Sequence, residues 1–191
     1  HVLVEKPMAA TAGEAEAMVV RAGQQGLTLG VAYYHHFTRI NTYVRELVGS
    51  GALGALAALH GNASSSFNPS RDDPGAWRIL RSSGGGGPLM DLGSHRLETF
   101  HSLAGPSRQV SAFSDTRRTC GDVEDSLSMI VRYASGVQAT LSSVWGIDPA
   151  RGDYEVWCTH GHVNVPYARG DECYVTQDGE TRRVYQPDDP L

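Results

Sequence analysis

Basic charge is in short supply in this sequence. Its 16 Lys and Arg face 21 Asp and Glu, a formal net charge of −5, and the pI is near 5.9. Nucleic-acid binding wants a basic stripe, so no nucleic-acid partner is expected. Cysteine is sparse as well. Cys120, Cys158 and Cys173 are odd in number and far apart, with no Cys-x-x-Cys pair. That excludes a disulfide scaffold and a cysteine-based metal or redox motif, and it points to a reducing, cytoplasmic compartment. No apolar run is long enough to span a bilayer, and no signal peptide opens the chain, so no membrane partner is expected. Repeats and low-complexity runs are missing too, apart from four consecutive glycines at 84–87.

What is present is an ordinary globular composition: 191 residues, 40% hydrophobic and 19% charged, enough for one large domain or a domain plus part of another. Residues 2–5 read as a short buried strand ending in Glu5-Lys6-Pro7. Thr11 and Glu14 have capping-box spacing, so an alanine-rich helix is expected to start there and to stop near Gly23 or Gly26. A second strand over 28–33 completes a β-α-β unit, which makes parallel sheet. A helix follows over about 38–50, then a long strand over 53–67 and a turn-rich loop over 68–75. From about residue 109 onward the pattern turns to short alternating strands. The Asp178-Gly179 pair is the clearest hairpin turn. Sequential hairpins build an antiparallel sheet, one face of which can rest on helices.

The densest chemistry lies in residues 84–101, GGGGPLMDLGSHRLETFH. Pro88 suits a first helical position, so a helix is expected from Gly87 or Pro88. On it Asp91 and His95, four residues apart, share one face, and Glu98 extends that face by a turn. Leu89, Leu92, Phe100 and Leu103 supply the apolar side that packs on a core. A carboxylate and an imidazole in one row, over a glycine-rich approach, can do proton chemistry. Two plainer readings stand beside this one. A carboxylate in a first turn meets the helix dipole favourably. Asp91 and His95, with His35 or His36, also have the donors of a metal site, although no second helix-borne His motif accompanies them and no metal is expected.

Three signals in this order, Glu5-Lys6-Pro7, Trp77-Arg78 with Gly85-Gly86-Gly87, and Asp91-Leu92-Gly93-Ser94-His95, resemble one family. It is the glucose–fructose oxidoreductase / inositol dehydrogenase / MocA family of nicotinamide-dependent sugar and cyclitol dehydrogenases. Ser50-Gly51-Ala52-Leu53-Gly54 and Glu124-Asp125-Ser126 resemble it too. The resemblance implies an α+β fold: the C-terminal tail of a Rossmann domain, then a domain with a large, mostly antiparallel open sheet packed on helices. Residues 1–33 would be the last β-α-β of a truncated dinucleotide-binding domain, and 34–191 the substrate and oligomerisation domain. One departure is plain. The family's glycine fingerprint for the pyrophosphate is absent, and Gly84-Gly85-Gly86-Gly87-Pro88-Leu89 follows Ser82-Ser83 rather than a strand. The chain opens at His1, without Met, directly in an apolar run, so an upstream portion is expected to be missing.

Oxidising a secondary alcohol needs a base for the hydroxyl proton and an acceptor for the hydride, and no side chain accepts hydride. An unperturbed His95 titrates near neutrality, as a base should. Asp91 can fix its tautomer or hydrogen-bond a neighbouring substrate hydroxyl. A desolvated Lys6 can relay a proton or polarise the oxygen. The resemblance assigns these same three residues to catalysis. It places Glu5, Lys6 and Pro7 at the nicotinamide of NAD or NADP, with a cis bond before Pro7 in view. Trp77 and Arg78 are candidate cofactor contacts, although Trp77 can equally cap the core and Arg78 pair with a surface carboxylate. Tyr34 and His35, with Asp91 and His95, are candidate substrate contacts. The expectation is an NAD(P)-dependent dehydrogenase of a small-molecule polyol, assembled as a homo-oligomer through its open sheet. The alternative is a non-catalytic substrate-binding or oligomerisation module without the cofactor domain.

Overall fold

The computed structural model describes residues 1–187, so the last four residues of the span 34–191 lie outside the described residues. The chain opens with β1 (Val2–Val4), α1 (Ala12–Gln24) and β2 (Leu29–Val31). Thr11 and Glu14 form the expected capping box, each side chain accepting from the other's amide. β1 and β2 pair in parallel, as a β-α-β unit requires. The expectation of a buried strand at 2–5 is overturned: Val2 and Leu3 are 53% and 76% exposed, and α1 buries no residue. These two strands make a sheet of their own. Two strands and one helix are too little to cover either face.

A 3₁₀ turn at Tyr34–Phe37 leads into α2 (Arg39–Gly49) and β3 (Leu56–Ser65). Another at Ala76–Ile79 precedes the single turn of α3 (Arg81–Gly84), a wide π turn at Leu89–Gly93, and α4 (Ser94–Ala104). The remainder is strand: β4 (Ser107–Asp115), β5 (Ser126–Tyr133), β6 (Gln138–Trp145), β7 (Tyr154–Cys158), β8 (Gly161–Val165), β9 (Glu172–Gln177) and β10 (Glu180–Tyr185). Asp178 and Gly179 turn the last hairpin at φ 52° and 80°, the left-handed pair that two-residue hairpin loops favour.

Strands β3 to β10 form one open sheet in the order β10-β9-β8-β7-β3-β6-β5-β4. Every pairing is antiparallel except β3 with β6. The helical connection after β3 carries the chain to the far edge, and the β4-β5-β6 meander then returns it beside β3, running the same way. The architecture is the expected α+β one, a large and mostly antiparallel sheet with helices on one face.

Alternation decides which face is dry. β5 buries Leu127, Met129, Val131 and Tyr133, and β6 buries Ala139, Leu141, Ser143 and Trp145. Ile40 and Val44 of α2 and Phe100 and Ala104 of α4 cover that face. Close approach depends on Gly61 of β3, where a Cβ would stand 2.9 Å from the Phe100 ring and 3.0 Å from Arg96 Cδ. The opposite face is bare, with Phe113 86%, Ile130 51% and Trp157 46% exposed.

Candidate active site

The helix read from Gly87 or Pro88 is in fact two pieces. Residues 89–93 make a widened turn in which the Ser94 amide donates to the carbonyl of Leu89, five residues back. Gly87 anchors the entry through its amide, which donates to Glu124 Oε2 at 3.0 Å. A Cβ at Gly87 would lie 1.8 Å from the Glu124 carbonyl oxygen. The wide turn takes Asp91 out of regular register with His95. The Asp91 carboxylate therefore does not orient the imidazole, as the four-residue spacing suggests. It turns to Lys6, whose Nζ donates to Asp91 Oδ1 at 3.3 Å and to the Asp91 carbonyl at 2.5 Å.

Lys6, Asp91 and His95 line one cleft of about 340 Å³ with Tyr34, His35 and Arg96. Segments far apart in sequence thus meet: the turn after β1, the 3₁₀ turn before α2, and the widened turn with the start of α4. His95 is 7% exposed and stacks on His35, ring centroids 4.0 Å apart and planes 18° from parallel. Tyr33 and Tyr34 meet the His95 ring edge-on. Both nitrogens of His35 and Nδ1 of His95 lack a hydrogen-bond partner among the described residues. The expectation that His95 titrates near neutrality needs correction. Burial and then the Lys6 charge push it down to about 4, with Asp91 opposing. Burial, and then its neighbour His95, push His35 down to about 3. Both imidazoles are neutral at pH 7. Among the described residues no three His, Cys, Asp or Glu converge as metal ligands.

A second, smaller hollow of about 170 Å³ is lined by Lys6, Pro7, Trp77, Arg78, Met90 and Asp91. Lys6 and Asp91 belong to both hollows. The Lys6–Pro7 peptide is cis. Trp77 is 49% exposed, and the Arg78 guanidinium lies 4.5 Å from its ring centroid. An exposed indole beside a cation fits a planar aromatic group such as a nicotinamide ring. Glu5, grouped with these residues by the resemblance, is exposed and lines neither hollow.

Sequence reasoning missed the far wall of the cleft. Arg96, Arg151, Tyr167 and Arg169 line it. Arg96, 3% exposed, donates from Nη2 to the Gly152 carbonyl at 2.8 Å and lies over the Tyr154 ring at 4.5 Å. Also missed was Asn41, 1% exposed, whose Nδ2 donates to the carbonyls of His35 and Ala168 while its Oδ1 accepts from Tyr154. One signal was available. Asn41 is the polar residue on the otherwise apolar inner side of α2, and a buried amide there has to be clamping something.

Residues 42–164 match the GFO/IDH/MocA C-terminal domain. The chain therefore belongs to the Gfo/Idh/MocA family. It is 29% identical over 196 residues to D-xylose 1-dehydrogenase (NADP(+)) 2 of Haloferax volcanii, covering 99% of this chain and 58% of that protein. It is 24% identical to levoglucosan dehydrogenase of Pseudarthrobacter phenanthrenivorans, covering 97% of this chain and 55% of the relative. Among solved structures, aldose-aldose oxidoreductase of Caulobacter crescentus in complex with glycerol superposes with a TM-score of 0.88. Its identity is 28%, over all of this chain and 57% of that one. The chain thus spans a little over half the length of these relatives.

Proposed function

We propose that this chain is the substrate-binding part, with the closing segment of the dinucleotide-binding part, of an NAD(P)-dependent oxidoreductase. It moves a hydride between a sugar, cyclitol or related polyol and the nicotinamide. Residues 1–33 form the closing segment, and the rest carries the substrate cleft. The observation that carries the reading is the meeting of Lys6, Asp91 and His95 in one cleft, with Lys6 and Asp91 shared with the hollow at Trp77. The names of the relatives, a D-xylose 1-dehydrogenase (NADP(+)) and a levoglucosan dehydrogenase, support it.

The nicotinamide supplies the hydride acceptor that no side chain can be. Pro7, Trp77 and Arg78 would hold its ring end. The neutral His95 accepts the hydroxyl proton; burial keeps it unprotonated over the physiological range, and makes it a weaker base than an ordinary imidazole. Lys6, steered by Asp91, donates a hydrogen bond to the substrate oxygen and stabilises its developing negative charge. Tyr34 and His35 wall the ring of the substrate. The bare sheet face, with Phe113, Ile130 and Trp157, is the surface through which copies assemble. Three free cysteines suit a reducing, cytoplasmic setting. No helix among the described residues is long and apolar enough to cross a membrane. Titration of the full-length protein with NADH, followed by a polyol panel read at 340 nm, tests the reading. Binding and turnover are expected; no NADH binding overturns it.

A further inference from the structure

The far wall of the cleft holds more positive charge than polyol chemistry requires. Four cations line the cleft, Lys6, Arg96, Arg151 and Arg169, against the single carboxylate of Asp91. Two of the four are matched. Lys6 is engaged by Asp91, and Arg151 Nε pairs with Asp153 Oδ1 at 2.9 Å. Arg169 is exposed and has no ion pair among the described residues. Arg96 is buried, yet Nε and Nη1 of its guanidinium have no partner among the described residues.

These two arginines are fixed to one another through the backbone. The Gly152 carbonyl accepts from Arg96 Nη2 and from the amide of Ala168, the neighbour of Arg169. Asn41 holds the Ala168 carbonyl from the other side. Neither arginine lines the hollow at Trp77, so their charge belongs to the part of the cleft away from the cofactor ring. A neutral polyol meets this wall with ordinary hydrogen bonds only, whereas an oxyanion meets the exposed Arg169 guanidinium with charge-assisted ones and lies in the field of both uncompensated cations. The volume, about 340 Å³, is that of a small-ligand site. A carboxylate and a phosphate both present such an oxyanion, and the test below separates them.

We propose that the preferred ligand of this cleft is a sugar acid, a monosaccharide-sized polyol whose carboxylate lodges against Arg169, with the buried charge of Arg96 behind it. This inference rests on the polyol-oxidoreductase reading and narrows its substrate class. The carboxylate fixes which hydroxyl of the ring reaches His95, so the arginine wall sets regioselectivity as well as affinity.

The test uses the full-length protein and matched triplets: hexoses, their uronates and their 6-phosphates. Calorimetry gives affinities, and NAD(P)H formation gives turnover. At least one uronate is expected to bind about tenfold to a hundredfold tighter than its neutral parent, with affinity falling as salt rises. Arg169→Gln is expected to bring the uronate-to-hexose ratio close to one, and Arg169→Lys to retain part of the preference. Equal affinity for acids and parents, a preference for the 6-phosphates, or a preference untouched by Arg169→Gln overturns the inference. Neutral sugars oxidised with no preference for acids would sink this inference alone. Uronates bound through Arg169 without any reduction of NAD(P)⁺ would sink the oxidoreductase reading alone.

Discussion

At the scale of single residues the cleft is governed by the environment of two stacked imidazoles. Burial and the facing Lys6 charge hold His95 down to about 4, well below an ordinary histidine. Removing that charge by Lys6→Met is expected to raise the His95 pKa, whereas Asp91→Asn is expected to lower it further. NMR titration of the imidazole resonances reads both, and a His95 pKa that stays near 6.5 in the wild type contradicts the argument. In the assembled enzyme kcat/KM should hold from neutrality down to about pH 4–5 and fall below it, as the base is protonated. An acid limb near pH 6.5 would show that the base is another group or is less buried.

At the scale of elements, the site depends on how closely α4 approaches β3 and how α2 grips the far loops. Gly61→Ala puts a methyl 2.9 Å from the Phe100 ring and 3.0 Å from Arg96 Cδ. Overpacking of this kind costs about 1–3 kcal/mol. It is expected to lower the denaturant midpoint and to disturb the cleft, since α4 carries His95 and Arg96. A stability within about 0.5 kcal/mol of wild type would mean that the helix gives way freely. Asn41→Leu leaves the Ala168 carbonyl and the Tyr154 hydroxyl without their partner, at about 1–3 kcal/mol for each group left unpaired, while the His35 carbonyl keeps Thr38. Equilibrium unfolding measures it, and near-neutral stability contradicts the clamp. The elements themselves were largely legible in the sequence. The period-two pattern of β5 and β6, the Thr11–Glu14 cap and the Asp178–Gly179 turn are local signals, and all of them appear in the structure. The widened turn at Leu89–Gly93 was not legible, because nothing local distinguishes it from an α-helix. Its two ends sit where glycine lets the chain press on distant elements, Gly87 on Glu124 and Gly93 on Ser143. Arg96 and Arg169 were invisible as a pair for the same reason: only the Gly152 carbonyl and the Ala168 amide bring them together.

At the scale of the whole molecule, two properties follow from buried and bare surfaces. His35 and His95 have folded pKa values of about 3 and 4 against 6.5 unfolded. Below about pH 6.5 the unfolded chain takes up these protons first, so stability is full above that pH and is lost as pH falls toward 3. Asp125 adds to the loss at the acid end. Burial alone would raise its carboxyl, but the amides of Arg118, Thr119 and Arg117 and the Arg118 charge outweigh that and hold it below the usual range. Its stabilisation is present above the ordinary carboxylate pKa and fades as pH falls through the lowered one. Melting temperature against pH checks this, and His35→Phe is expected to flatten the slope between pH 6.5 and 3. An unchanged slope would assign the loss elsewhere. The bare sheet face is expected to join copies, so Phe113→Glu with Ile130→Glu should reduce the sedimenting mass. A wild-type monomer would refute that assembly. The central claim is that Lys6, Asp91 and His95 act together on one alcohol, and steady-state NAD(P)H formation by wild-type and Lys6→Met full-length protein tests it most directly. The account predicts a fall in kcat of about 10²–10⁴-fold with the fold intact; a variant that keeps its rate within about threefold contradicts it.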